Sequence, residues 1–361
     1  MKIAIMGTRG VPPRYGGFET FAAELGTRLV ARGHEVWVYC RAQGAGGGAQ
    51  WNGIRRIVLP SMRHKYFETV SHTFLSSIDA LRRGFDVVLL CNAANAFVIP
   101  LLRAARIPVA INVDGIERRR RKWNLLGRAV YTIGETFSAT FASAVVADAE
   151  VIADYYRAHH GVEPVTIPYG SEFPPEDDSG VLARLGLQPR GYILYVSRFE
   201  PENNPLEVVE AYERARVDVP IVLLGDALYA HDLKTELLKH QDPKILFPGA
   251  LYGADYRTLQ RNALLYIQAT EVGGTHPALI EAMGSGGAVL ALDTPENREV
   301  GGDAVGYFRL RPESLSGILY EWLAGAGRRE ALRERARRRA AERYGWETVT
   351  DRYQQLFVKI V

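Results

Sequence analysis

The sequence predicts an α/β protein of two doubly wound domains, each a parallel sheet with helices on both faces. Three observations carry this expectation. Short apolar runs alternate with helical patterns along the chain, a polar and acidic connector interrupts the alternation midway, and 361 residues exceed the roughly 100–200 that one ordinary domain holds.

In the first half the strand-like runs are Ile3–Met6, Glu35–Tyr39, Gly53–Leu59, Asp86–Leu90, Val109–Asn112, Ala144–Ala147 and Val165–Ile167. Most read as continuous apolar stretches, as strands buried on both faces do. The clearest helix runs from about Phe18 to Arg32, with Phe18, Phe21, Leu25 and Leu29 at helical spacing and Gly33 as its stop. Between Ser171 and Arg190 the composition turns polar, acidic and proline-bearing, so the domain boundary is placed near residue 185. A second alternation follows with Tyr192–Val196, Ile221–Leu224, Lys244–Phe247, Leu264–Gln268 and Ala288–Leu292. The arginine-rich stretch Arg328–Arg343 reads as a solvated helix. After the break at Tyr344-Gly345-Trp346, a last helix carries Val349, Tyr353, Leu356 and Phe357 on one face and must dock on something, most naturally the first domain. The expected division is thus 1–185, 186–343 and a closing helix, 344–361.

Composition narrows the functional classes. Hydrophobic residues make up 47% and charged ones 24%, a globular balance, and the net charge of +3 gives no reason to expect a nucleic-acid partner. Cys40 and Cys91 end apolar runs without metal-ligand spacing, and read as buried thiols rather than a disulfide. The start of the chain reads as a strand rather than a signal peptide, and the apolar region Val87–Leu102 is broken by Asn92, Asn95 and Pro100. The expectation is a cytoplasmic protein that can sit peripherally on the inner face of a membrane.

Chemistry is concentrated at the ends of strands. Gly7-Thr8-Arg9-Gly10 and the Gly16-Gly17 pair surround Arg9 and Arg14 after the first strand, where backbone can approach a phosphate or an acceptor; a tight turn would use the same glycines. Asp114, in Asn112-Val113-Asp114-Gly115, is a candidate to orient or deprotonate an acceptor hydroxyl, with His72 and Asn95 as weaker candidates nearby. In the second half Arg198 follows a strand and could clamp a diphosphate bidentately, with Asn203 five residues on. The segment Glu271–Met283 reads as strand, Gly273-Gly274-Thr275 turn and helix, offering backbone N–H groups to an anion and Glu281 to sugar or ribose hydroxyls. The five-residue basic run Arg118–Lys122 precedes an apolar stripe of Trp123, Leu126, Val130, Ile133 and Phe137, a pattern suited to an anionic membrane surface and equally to a core-facing helix.

These motifs, in this order along essentially the whole chain, resemble the retaining family 4 glycosyltransferases of GT-B fold, in particular bacterial rhamnosyltransferases of surface polysaccharide assembly. The resemblance implies two Rossmann-like domains facing a cleft, with the last helix crossing back to the first domain. It implies transfer of a hexose or deoxyhexose, such as rhamnose, from a nucleoside-diphosphate sugar to a saccharide, expected to be polyprenyl-diphosphate-linked, without an obligatory metal or other cofactor. Arg198 would stabilise the departing diphosphate, Glu281 would hold the ribose, Gly273, Gly274 and Thr275 would lie beside the donor, and Gly16 and Gly17 would let the first loop close on it. Two positions depart from the family pattern: Gly273 stands where a first glutamate is usual, and Asn203 where a diphosphate-binding lysine is usual. A sugar-nucleotide epimerase or phosphorylase, or a non-catalytic nucleotide-sugar sensor, are the alternatives on this architecture.

Overall fold

The computed structural model describes residues 1–13, 16–42, 48–62, 67–119, 124–172, 179–227 and 230–361. The chain divides into two compact units, Met1–Gly170 with Trp346–Val361, and Ser171–Gly345.

The first unit runs β1 (Lys2–Met6), α1 (Gly17–Ala31), β2 (Glu35–Arg41), β3 (Gln50–Trp51), β4 (Ile54–Leu59), α2 (Phe67–Ala80), β5 (Val87–Cys91), α3 (Ile99–Ala104), β6 (Val109–Asn112), α4 (Leu125–Phe141), β7 (Ala144–Ala147), α5 (Glu150–His160) and β8 (Val165–Thr166). Its sheet has the order β3-β4-β2-β1-β5-β6-β7-β8 and is parallel apart from β3. The apolar runs of the sequence are the central strands, and all five residues of β5 are buried. The short β3 was not read from the sequence. It pairs antiparallel with β4 through Asn52 and Gly53, both at positive φ, so the Gly53 assigned to a strand forms a hairpin turn instead.

The second unit continues with α6 (Val181–Arg184), β9 (Ile193–Val196), α7 (Pro205–Ala215), β10 (Ile221–Leu224), α8 (His231–Leu237), β11 (Ile245–Gly249), α9 (Gly253–Asn262), β12 (Leu265–Gln268), α10 (Pro277–Gly284), β13 (Val289–Leu292), α11 (Pro295–Gly301), β14 (Gly306–Phe308), α12 (Pro312–Ala324) and α13 (Ala326–Arg343). Its six strands lie in the order β11-β10-β9-β12-β13-β14, all parallel. The division falls at Gly170 rather than near residue 185. Arg184 of α6 pairs with Asp255 of α9 at 2.5 Å, and Ser171 bridges to Gly345, so the residues after 170 belong to the second sheet's surroundings.

The last helix, α14 (Trp346–Ile360), returns to the first unit as its apolar face requires. Trp346, Val349, Tyr353, Leu356 and Phe357 are buried, and Tyr353 packs 5.3 Å from Phe21 of α1 between ring centroids. Arg32 pairs with Glu347 at 2.7 Å and Asp351 at 2.6 Å along the rim of the same contact. A Cβ on Gly170 would stand 2.4 Å from the Trp346 ring, so glycine is needed where the chain leaves this unit.

Candidate active site

In a doubly wound sheet, ligands bind beyond the carboxyl ends of the strands, at the point where strand order reverses. The second unit reverses between β9 and β12, because β10 lies on one side of β9 and β12 on the other. The two segments singled out in the sequence leave the sheet there: Ser197–Asn204 after β9, and Ala269–His276 between β12 and α10.

Hydrogen bonds tie these segments to each other. Asn204 Nδ2 donates to the Ala269 carbonyl at 2.8 Å, and the Glu271 N–H to the Glu202 carbonyl at 2.9 Å. Within the first segment, Tyr195 donates its hydroxyl to the Asn203 carbonyl at 2.6 Å. Asn203 is buried, and its Nδ2 donates to the Arg198 carbonyl at 2.6 Å. That amide shapes the loop carrying Arg198, so the side chain expected at the donor is engaged by its own loop. Arg198 itself is exposed, its side chain 42% accessible and its guanidinium 3.9 Å from the Glu200 carboxylate.

Gly273, Gly274 and Thr275 lead into α10, with His276 as N-cap and Pro277 in the first turn. The His276 imidazole packs over Gly273, where a Cβ would come within 2.4 Å of the ring. Any larger residue, a glutamate included, would have to displace that ring. Glu281 lies half-buried in the second turn of α10 and accepts the Tyr256 hydroxyl from α9. Gln260 Nε2 donates to the same hydroxyl at 2.9 Å and to the Ala278 carbonyl at 3.0 Å. Burial and then the neighbouring Glu281 charge hold the Tyr256 phenol well above its ordinary range, so it remains a donor that fixes one carboxylate oxygen. Tyr256 was not found in the sequence; its spacing with Gln260 on one helix face is the signal, legible only once Glu281 is placed opposite.

The first unit reverses between β1 and β5. Here the expected residues turn largely inward. A Cβ on Gly7, at φ +89°, would lie 2.3 Å from the Cys91 carbonyl oxygen, and one on Gly10 would lie 2.5 Å from Cys40 Sγ. Packing against the neighbouring strands and the positive φ of both already require glycine at these two positions. Gly16 caps α1 with extended backbone and Gly17 is its first residue. Arg9 donates its N–H to buried Glu19 at 2.8 Å, and its guanidinium meets Glu68 at 3.3 Å, where Arg41 also pairs at 3.1 Å. Burial raises the Glu19 carboxyl above its ordinary range, against the Arg9 N–H and the nearby arginines. Asn95 is fully buried, its Nδ2 donating to the Cys91 carbonyl and its Oδ1 accepting from Thr73, both at 2.8 Å. The residue expected to contact a phosphate or an acceptor thus braces the interior of the unit. His72, also expected as a phosphate or acceptor contact, is likewise fully buried, and burial pushes its pKa down to about 4, so it is neutral at pH 7. Asp114 is half-buried at φ +59° after β6, its N–H donating to Asn112 Oδ1 at 2.9 Å; burial first, and the charge of Asp114 in addition, hold the Cys91 thiol and the Tyr169 phenol well above their ordinary ranges. Arg14 lies outside the described residues. Cys40 and Cys91 are buried free thiols.

Two parallel units with loops of this kind at the strand ends define the GT-B class. Residues 16–170 match the glycosyl transferase 4-like domain family, and residues 184–339 the glycosyl transferases group 1 family. The chain is a glycosyltransferase of GT-B type. No curated protein matches it in sequence. Among solved structures it is similar to sucrose-phosphate synthase from Thermosynechococcus elongatus, with a TM-score of 0.85 and 18% identity over 99% of this chain and 98% of that one. Anabaena HepE in complex with UDP and glucose gives a TM-score of 0.81 and 17% identity, covering 99% and 100%. A UDP-forming trehalose-phosphate synthase from Burkholderia xenovorans gives 0.75 and 13%, covering 99% and 100%. At these identities the likeness is one of fold.

Proposed function

We propose that the chain transfers a hexosyl or deoxyhexosyl group, with rhamnose a candidate, from a nucleoside-diphosphate sugar to a saccharide hydroxyl with retention of configuration. The observation that carries this reading is the junction of the Arg198 loop and the Gly273–Glu281 segment at one strand-order reversal. Arg198 is the exposed cation there and would neutralise charge on the leaving diphosphate as the sugar bond breaks. The Gly273–Thr275 backbone and the start of α10 suit an anionic phosphate, and a carboxylate oriented by the Tyr256 hydroxyl is the kind of acceptor that suits a ribose diol. Structures of Anabaena HepE, similar in fold, are complexes with UDP and with UDP-glucose, which supports a nucleotide-sugar donor. Asp114, just past the carboxyl end of β6 in the first unit, is the candidate to orient the acceptor, and a polyprenyl-diphosphate-linked saccharide of cell-surface polysaccharide synthesis is the acceptor class we favour.

A thermal-shift panel of nucleotides and nucleotide sugars tests the donor. A ligand at about 100 times its dissociation constant stabilises by about 2.7 kcal/mol. A shift confined to one nucleoside-diphosphate series supports the reading; silence across the panel removes it. The stereochemistry of transfer is read from the anomeric proton of the product by NMR, and an inverted product would refute retention. The side chain of Asn203, spent on its own loop, favours one second reading, a sensor that binds without turnover. Transfer or hydrolysis of the bound sugar excludes it.

A further inference from the structure

Two helices of the first unit are inside out. In α2 the buried stripe is His72, Thr73, Ser76 and Ser77, while Phe74, Leu75 and Ile78 face outward, Phe74 at 49% exposure, with Leu81 just beyond the helix end also exposed. In α4 the buried side is Gly127, Tyr131, Gly134, Glu135 and Ser138, while Leu125, Val130, Ile133 and Phe141 are exposed, Ile133 at 56%. An amphipathic helix that serves only its own core does the reverse. The small and polar residues allow close approach to the 3-10 turn Ala93–Val98, against which both helices pack: a Cβ on Gly134 would stand 2.3 Å from the Ala93 carbonyl oxygen. The two apolar faces therefore flank one short element.

We infer that α2 and α4 together form a docking face for an anionic lipid bilayer. Charge on these elements favours lipid over a protein partner. Arg128 stands exposed among the apolar residues of α4, and the acid of that helix, Glu135, is buried against Tyr155 and Arg118. Asp79 of α2 is engaged by Arg83 and Tyr39, leaving exposed Arg82 at the end of the helix. Arg103 and Arg106 are exposed on and just after α3, which packs on α4. Exposed apolar side chains fringed by arginines match the boundary between acyl chains and anionic headgroups. Among the described residues no helix is long and apolar enough to cross a membrane, so such contact would be interfacial. The basic run before α4 points the same way from the sequence, while α2 is revealed only by its orientation. The inference rests on burial and charge and is independent of the transferase reading.

The test is co-sedimentation of the full chain with vesicles of phosphatidylcholine alone and of phosphatidylcholine with phosphatidylglycerol. The wild type is expected to bind the second kind and not the first. The quadruple variant Phe74→Ser, Ile78→Ser, Val130→Ser, Ile133→Ser is expected to lose binding, with its urea midpoint retained because the replaced side chains face solvent. The variant Arg82→Glu, Arg128→Glu keeps the apolar face and is expected to bind the anionic vesicles at least roughly tenfold more weakly. Absence of wild-type binding, equal binding to neutral vesicles, or undiminished binding by both variants overturns the inference. So does a self-association that the serine variant abolishes in place of lipid binding, since the face would then belong to a second copy of the chain.

Discussion

The strand-order reversals of the two units are built alike and furnished differently. In the first unit the polar residues at the carboxyl edge satisfy one another: Arg9 and Arg41 share Glu68, Glu19 accepts the Arg9 N–H, and Asn95 is bonded on both sides of its amide. In the second unit the buried polar residues serve the loops, while Arg198 stands outward and the Gly273-Gly274 backbone leads into a helix start. The same topology therefore yields one edge stiffened from within and one edge where an arginine side chain stays exposed beside a helix start. Presence of an arginine or an asparagine at a strand end does not distinguish the two; the partner of its side chain does.

Arg198→Ala should break the contrast most sharply. Turnover is expected to fall by about 10²–10³-fold, as when one transition-state donor is removed, with the unfolding midpoint unchanged because the side chain is exposed. Steady-state kinetics beside urea denaturation would check both halves.

On the first unit's side, His72 should govern stability rather than turnover. Its folded pKa, about 4, lies below the ordinary 6.5, so the unfolded chain takes up the proton first as pH falls. Stability should accordingly be complete above about 6.5 and decline as pH drops through that value towards 4, by up to about 3 kcal/mol. Urea titrations of the wild type and His72→Gln across this window should show a slope that the variant lacks.

Tyr256→Phe is expected to leave kcat nearly intact and to raise the donor KM about fivefold, the cost of about 1 kcal/mol for one hydrogen bond orienting Glu281. A variant with unchanged donor KM would remove the positioning role. The smallest effect is expected at Gly16→Ala. Its backbone is extended and a Cβ meets only Glu19 Oε2, at 3.5 Å, so stability should change by less than about 1 kcal/mol. A large loss of activity without loss of stability would then mark this loop as a ligand contact after all.

The central strands were legible because a strand buried on both faces leaves an unbroken apolar run: Val109–Asn112, Ala144–Ala147 and Ile221–Leu224 fall where the sequence places them. β14 escaped because Gly306-Tyr307-Phe308 is too short and begins with a glycine, and β3 because its hairpin turn was read as strand. The docking of α14 was legible in the spacing of Tyr353, Leu356 and Phe357, since an apolar helix face needs a partner.

The sequence by itself determined two parallel α/β units, the return of the last helix, and the strand ends from which Arg198 and the Gly273–Glu281 segment emerge. Periodicity and turn chemistry are local properties, and they suffice for that. Only the tertiary structure decided which polar side chains face outward, that Asn203 and Asn95 brace their own loops, that Tyr256 meets Glu281, and that α2 buries its hydroxyls while exposing its phenylalanine. Those outcomes depend on which residues, distant in sequence, compete for the same hydrogen bonds and the same buried volume, and no local pattern records that competition.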